Sequence, residues 1–132
     1  MERKEVISLF REIAKELGLE GVVKIRIVPM KRKIASFSFK TGILRINRNV
    51  IEIFDKKLIR FVIFHELIHF KVNVHFKVND VNHGKEFFKE LGRYYSEESM
   101  ENLEIEIIKR ILNFDVTQSL QNQFCSISRV LQ

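Results

Sequence analysis

Phe64-His65-Glu66-Leu67-Ile68-His69 decides how the rest of the chain is read. It lies inside Leu58 to Val74, an apolar segment whose composition predicts a helix buried nearly all round. Between Arg60 and Lys71 the only polar side chains are His65, Glu66 and His69. Residues four apart stand one above the other on a helix face. The two imidazoles can therefore reach one metal ion without any bend in the backbone. Glu66 follows the first histidine, emerges near the same place and suits a general base acting on water. Burying three ionisable groups in such a helix is costly unless something satisfies them. A hydrogen-bonded core histidine is the bland reading of either imidazole alone, and it does not account for the trio. His-Glu-x-x-His on a helix is the donor pattern of zinc-dependent peptide hydrolysis, with two histidines for the metal and a glutamate for the proton.

Downstream, Val74 to Asn82 is polar enough for a loop. Asn82-His83-Gly84-Lys85-Glu86-Phe87-Phe88 then opens an amphipathic helix with Phe87, Phe88, Leu91 and Tyr95 on its inner side and Asn82 as its cap. A catalytic zinc site needs three protein ligands and an open position. His83, at the first turn of that helix, is the expected third ligand to His65 and His69. His75 reads as an exposed loop residue, with an oxyanion-stabilising role as its sharper alternative. Tyr94 and Tyr95 are candidates for the same role or for plain helix packing.

Upstream, Val6, Leu9, Phe10, Ile13 and Leu17 recur at helical spacing over residues 3 to 17, and Gly18 can end that helix. Three strand-like runs follow, Val22 to Val28, Ile34 to Lys40 and Ile43 to Asn47, with Thr41-Gly42 as a tight turn between the last two. Their alternation predicts an antiparallel meander with one greasy and one polar face. Asp55 is placed to cap the long helix. The fold expected is α+β: a small antiparallel sheet of three to four strands packed on a central metal-binding helix with flanking helices. Lys31-Arg32-Lys33 forms a basic loop tip, either a solvated turn or a phosphate contact.

At 132 residues with 45% hydrophobic residues and twelve Phe, the chain is long and greasy enough for one packed domain. Disorder is excluded on that composition. One cysteine excludes an internal disulfide framework and fits a reducing compartment. Met1-Glu2-Arg3-Lys4-Glu5 is too charged to open a signal peptide, and no apolar run approaches the roughly 18 residues of a membrane span. A cytoplasmic protein without a membrane partner is expected. The net charge of +6 leaves room for a polyanionic partner such as nucleic acid.

The composition shifts after Leu112. Residues 113 to 132 carry only Asp115 and Arg129 as charges and hold all four glutamines of the chain. Val116, Leu120, Phe124, Ile127 and Leu131 keep a helical period there. The expected division is a catalytic domain over 1–112 and an amphipathic segment over 113–132. That segment would dock on the core, bind a partner, or cross the cleft with Cys125 as a ligand that blocks the open metal position.

Taken together, His65-Glu66-Leu67-Ile68-His69, a loop, and Asn82-His83-Gly84-Lys85-Glu86-Phe87 resemble the SprT-like and YgjP-like zinc metallopeptidases. A strand ending in Asn, Leu44-Arg45-Ile46-Asn47, precedes the long helix as it does there. The resemblance covers roughly residues 34 to 95. It implies one zinc ion on His65, His69 and His83, Glu66 as catalytic base, and a protein or peptide substrate, which would lie along a sheet edge as an added strand. The SprT-like branch includes proteases acting on DNA-bound proteins, but this chain lacks a four-cysteine zinc ribbon. Minimal soluble gluzincins are a second resemblance, and there the third ligand is a later glutamate; Glu97, Glu98, Glu101 or Glu104 would fill that place. Two other functions stay open from sequence. One is a non-catalytic zinc-stabilised module that binds nucleic acid through Lys31, Arg32, Lys33, Arg45 and Arg48. The other is a metal-dependent hydrolase of something other than peptides.

Overall fold

The computed structural model describes residues 1–76 and 84–113. In chain order the elements are α1 (Arg3–Glu16), β1 (Lys24–Val28), β2 (Ala35–Ser38), β3 (Ile43–Asn47), α2 (Arg48–Ile53), α3 (Lys56–Phe76), α4 (Lys85–Leu91) and α5 (Glu97–Asn113). The expected α+β class holds.

Helix α1 buries Val6, Leu9, Phe10, Ile13 and Ala14, the stripe its periodicity predicts. Gly18 follows it at φ +74°, the left-handed position that suits glycine after a helix. The Leu19 amide then turns back to the Ala14 carbonyl at 2.8 Å.

The sheet is mixed, which corrects the antiparallel meander. Its order is β1-β3-β2. The hairpin half of the expectation is right: β2 and β3 are antiparallel, with Ala35 opposite Ile46 and Phe37 opposite Leu44. Strand β1 runs parallel to β3 on its other side, from Lys24 opposite Ile43 to Val28 opposite Asn47. Alternation tells which face of a strand is buried, not which neighbour it pairs with. Residues 29–34 are long enough to carry the chain past β3 before β2 begins. With β3 in the middle, Ile25, Leu44 and Phe37 form one apolar row and Ile27, Ile46 and Ala35 the next. Leu44 and Ile46 are fully buried in that central strand, while Arg26, Arg45 and Ser36 line up on the other face.

Gly42 joins the two halves of the sheet. Its φ is +70°, its amide donates to the Ser38 carbonyl at 2.8 Å, and its carbonyl accepts from the Lys24 amide at 2.8 Å. A Cβ there would lie 2.7 Å from the Val22 carbonyl oxygen. Backbone on one side and a left-handed φ on the other leave glycine as the residue that fits.

Between β3 and the long helix the chain makes one short helix, α2, which no periodicity in the sequence announces. The Asn47 side chain caps it by accepting from the Asn49 amide at 3.0 Å, and Val50 and Ile51 turn into the core. Asp55 then caps α3 as expected, its Oδ1 accepting from the Leu58 amide at 3.2 Å. Helix α3 runs on to Phe76, so the backbone of His75 belongs to its last turn and not to a loop. Leu58, Ile59, Phe61, Ile63, Phe64, Leu67, Ile68 and Val72 are all at most 1% exposed, which makes α3 the axis of the domain. It packs against α1, β2, α4 and α5. Gly84 is the N-cap residue of α4, and the cap expected at Asn82 lies outside the described residues. The Ser96 hydroxyl accepts from the Ser99 amide at 3.1 Å and starts α5. No helix among the described residues is long and apolar enough to cross a membrane.

Candidate metal centre

His65 and His69 leave the same side of α3 one turn apart, as the four-residue spacing requires. Their ring centroids lie 5.1 Å apart with the planes at 76°. Both are buried, at 5% and 8% exposure, in a helix whose other core positions are aliphatic or aromatic. Glu66 Oε1 approaches His65 Nδ1 to 3.5 Å, and the Glu66 side chain keeps 21% of its surface exposed. Burial pushes the Glu66 carboxyl up. The hydrogen bond from His65 and the nearby charges of His65, His69 and Lys33 pull it down further, so it sits below the usual carboxylate range.

The first residue of this site that sequence reasoning did not assign to it is Phe87. Fully buried on α4, it stacks on His69 at 4.3 Å and 28° and meets His65 edge-on at 5.2 Å. Its signal in the sequence was only an apolar position on the inner face of a helix. The two helices are tied together by charge: Glu90 of α4, 6% exposed, lies 3.6 Å from Lys71 Nζ of α3 and 3.4 Å from Arg93 Nη2. A buried carboxylate held by two cations is costly to leave unpaired, so this pair fixes how α4 presents Phe87.

Helix α5 also packs on α3. Of its four candidate glutamates, Glu97, Glu98 and Glu101 are exposed and Glu104 is half-buried. Burial raises the Glu104 carboxyl, with the neighbouring His65 drawing it partly back. Arg110, two turns on, clasps α5 to the start of α3: its Nη2 lies 3.2 Å from Asp55 Oδ2, and its Nη1 donates to the Ile53 carbonyl at 3.3 Å.

The other expected residues separate clearly. Tyr94 packs on Phe64 at 4.8 Å, and Tyr95 meets Phe61 and Phe64 edge-on at 5.2 and 5.6 Å. Burial pushes the Tyr95 hydroxyl up to about 12. These ring contacts belong to core packing and involve neither imidazole. Lys31, Arg32 and Lys33 are exposed in the loop before β2, as are Arg45 and Arg48. His83, Cys125 and the His75 side chain lie outside the described residues, so the expected three-histidine set is two-thirds on view. Among the described residues no group of three His, Cys, Asp or Glu closes on one point. Two buried imidazoles one turn apart on α3 are nonetheless a donor pair suited to zinc.

Comparison with known proteins bears on this arrangement directly. The family model of the YgjP-like metallopeptidase domain matches residues 2–106. The chain belongs to the YgjP-like metallopeptidase family. That match takes in α1, the whole sheet and both site helices, and stops before the segment of altered composition. Among solved structures, this metallopeptidase resembles the zymogen of jannalysin from Methanocaldococcus jannaschii, at 42% identity and a TM-score of 0.72, over 80% of this chain and 96% of that one. It also resembles the zymogen of abylysin from Pyrococcus abyssi, at 26% identity and a TM-score of 0.68, over 81% of this chain and 95% of that one. The protein MJ0123 of Methanocaldococcus jannaschii is 41% identical over 110 residues, 83% of this chain and 94% of its own length. The resemblance seen in the sequence thus holds, and the chain is a metallopeptidase with peptides or proteins as its substrate class.

Proposed function

We propose that this YgjP-like metallopeptidase uses zinc held by His65 and His69, with Glu66 as the general base of peptide hydrolysis. The observation that carries the reading is the buried imidazole pair with a carboxylate beside it, on one turn of an otherwise apolar helix. Such burial is unfavourable for a scaffold and useful for a centre that must exclude bulk water. When bound, zinc supplies the Lewis acidity that acidifies a water and polarises the scissile carbonyl. Glu66 takes the proton from the attacking water and returns it to the leaving amine. With His65 Nδ1 facing Glu66, coordination at that residue falls to Nε2. Phe87 holds both rings against rotation and keeps water from their apolar side.

Two residues compete for the third donor position. His83 is favoured by its place after a short connection; Glu104 is supported by being the half-buried one of the four α5 glutamates, with His65 acting on its carboxyl. Elemental analysis should find about one zinc per chain. His83→Ala and Glu104→Ala, measured in parallel, assign the third donor to whichever position loses the metal on substitution. A chain that takes up no zinc after reconstitution would sink the reading.

The substrate lies along β2. This strand forms an edge of the sheet and is the strand that packs on α3, where Phe37 meets Phe70 at 5.0 Å. An extended peptide adds there as a further strand, antiparallel or parallel, with its backbone held by main-chain hydrogen bonds. The segment 113–132 lies outside the family match, and the two solved relatives are zymogens. In this chain we assign that segment a latency role, in which it covers the cleft and sets Cys125 at the open metal position. Cys125→Ala is then expected to raise peptidase activity at constant zinc content, and unchanged activity would reject the latency role.

A further inference from the structure

We propose that Phe37, Phe39, Phe70 and Val74 form an apolar subsite beside Glu66. It gives this peptidase a preference for a large apolar side chain within about two residues of the cleaved bond. The inference rests on the peptidase reading above and adds the substrate class. Glu66, Phe70 and Val74 follow one another at four-residue steps on α3, so they share one stripe of the helix. Glu66 is the polar end of that stripe, and Val74 at the other end is 52% exposed. Phe70 stands between them, directly after His69, and the edge strand covers it. The Phe37 and Phe39 rings lie 5.0 and 6.4 Å from the Phe70 ring and 5.8 Å from each other. Phe39, just past the end of β2, still keeps 46% of its surface exposed. A single exposed apolar residue needs no explanation. A contiguous run of them leading away from the proposed base marks a binding surface.

The patch rests on a fixed frame. Phe37 lies opposite Leu44 in the inward row of the sheet, while Ser36 and Ser38 take the other face of β2. Upstream, the fully buried Asn47 pins the loop that leads into the strand. Its Nδ2 donates to the carbonyls of Met30 at 3.0 Å and Lys33 at 2.9 Å. Its Oδ1 accepts from the Met30 amide at 3.4 Å, and its own amide donates to the Ile34 carbonyl at 2.9 Å. A peptide added to the outer edge of β2 turns every second side chain toward α3. Four helical residues rise about 6 Å, and two extended residues span about 7 Å. A side chain two residues from the one beside Glu66 therefore reaches the level of Phe70. There an apolar side chain and the patch both shed water, whereas a carboxylate loses hydration against ring faces that repel it.

The test uses the full chain carrying Glu66→Gln and Cys125→Ala, so that binding is read apart from turnover and from the latency role. The probes are fluorescein-labelled octapeptides of Gly and Ser with Phe, Ala or Asp at one central position, followed by anisotropy. The Phe peptide is expected to bind about tenfold tighter than the Ala peptide, with the Asp peptide weakest. Phe39→Ser and Val74→Ser, both at exposed positions, should each bring the Phe-to-Ala ratio below about threefold, with the fold intact by circular dichroism. Phe39→Leu should keep the ratio. Leu112→Ser is the control and should leave the ratio alone. Leu112 is also exposed, but it sits on α5 near the start of α3, where Arg110 pairs with Asp55. Equal or absent binding of the three peptides overturns the proposal, as does a ratio untouched by Phe39→Ser and Val74→Ser or lost equally in Leu112→Ser. So does a chain that sediments as a dimer and falls apart in Phe39→Ser, since the patch would then be an interface between copies. Wild-type cleavage separates the two readings. Peptides cut without regard to the apolar residue count against this proposal alone, and apolar-selective binding with no cutting counts against the peptidase reading alone.

Discussion

Glu66→Gln is expected to lower peptide hydrolysis by about 10²- to 10⁴-fold, the range a positioned general base supplies. Gln has the same size and keeps an acceptor oxygen, so the 3.5 Å approach to His65 Nδ1 can survive. What disappears is the capacity to take a proton. The folded protein favours the charged carboxylate, so the substitution costs some stability, while zinc content should match the wild type. That combination separates the possible functions. A non-catalytic module would show no activity to lose, and any ligand binding would persist. Activity that survives the substitution at more than a tenth of the wild-type rate would remove Glu66 from the role of base. Activity lost together with zinc would make it a ligand.

Phe87→Ala should produce the largest loss of stability of any single change at the site, about 3–5 kcal/mol, the usual range for emptying a fully buried phenylalanine position. The reason extends beyond lost hydrocarbon. The ring stacks on His69 and abuts His65, so the cavity opens against the two imidazoles themselves. Their rotamers loosen, and metal affinity falls with them, as it does when an outer shell that orients ligands is removed. Phe87→Leu keeps most of the volume and separates the two effects. Its stability loss should be under about 1.5 kcal/mol, while metal affinity still drops because a branched aliphatic side chain does not stack on a ring. Chemical unfolding of the apo form and a competitive zinc titration check the two halves. Wild-type zinc affinity in Phe87→Leu would reduce Phe87 to a core residue.

The central helix was legible because one element carried both signals at once. Between Arg60 and Lys71 its apolar residues run all round, interrupted only by His65, Glu66 and His69, so burial and the metal-ligand pattern point to the same turn. Asp55 was equally readable, since a cap is a local matter between a side chain and an amide three residues on. The sheet was legible only in part. Alternation in Ile25, Ile27, Leu44 and Ile46 showed which side chains are inside, but strand order depends on where the chain goes at residues 29–34, and no local pattern encodes it. Helix α2 was missed because Arg48–Ile53 is too short to show a period; its signal is the Asn47 cap, which reads equally well as the end of a strand. Phe87 and Glu104 share another limitation. Each is an ordinary residue for its helix, and each acquires its meaning from what lies across the interface, which only the packing of α4 and α5 on α3 reveals.

The hydrogen bonds that Asn47 makes to the loop all end on main-chain atoms, those of Met30 and Lys33. No side chain between residues 31 and 33 takes part in holding the loop in place, and all three point to solvent. The shape of this loop and the charge it carries are thereby uncoupled. Substitutions at 31, 32 and 33 are expected to leave folding intact, whereas Asn47→Ala should cost stability, because it removes the partner of buried main-chain groups. The charge carried by this turn can therefore drift at three exposed positions while the path of the chain from β1 to β2 stays the same.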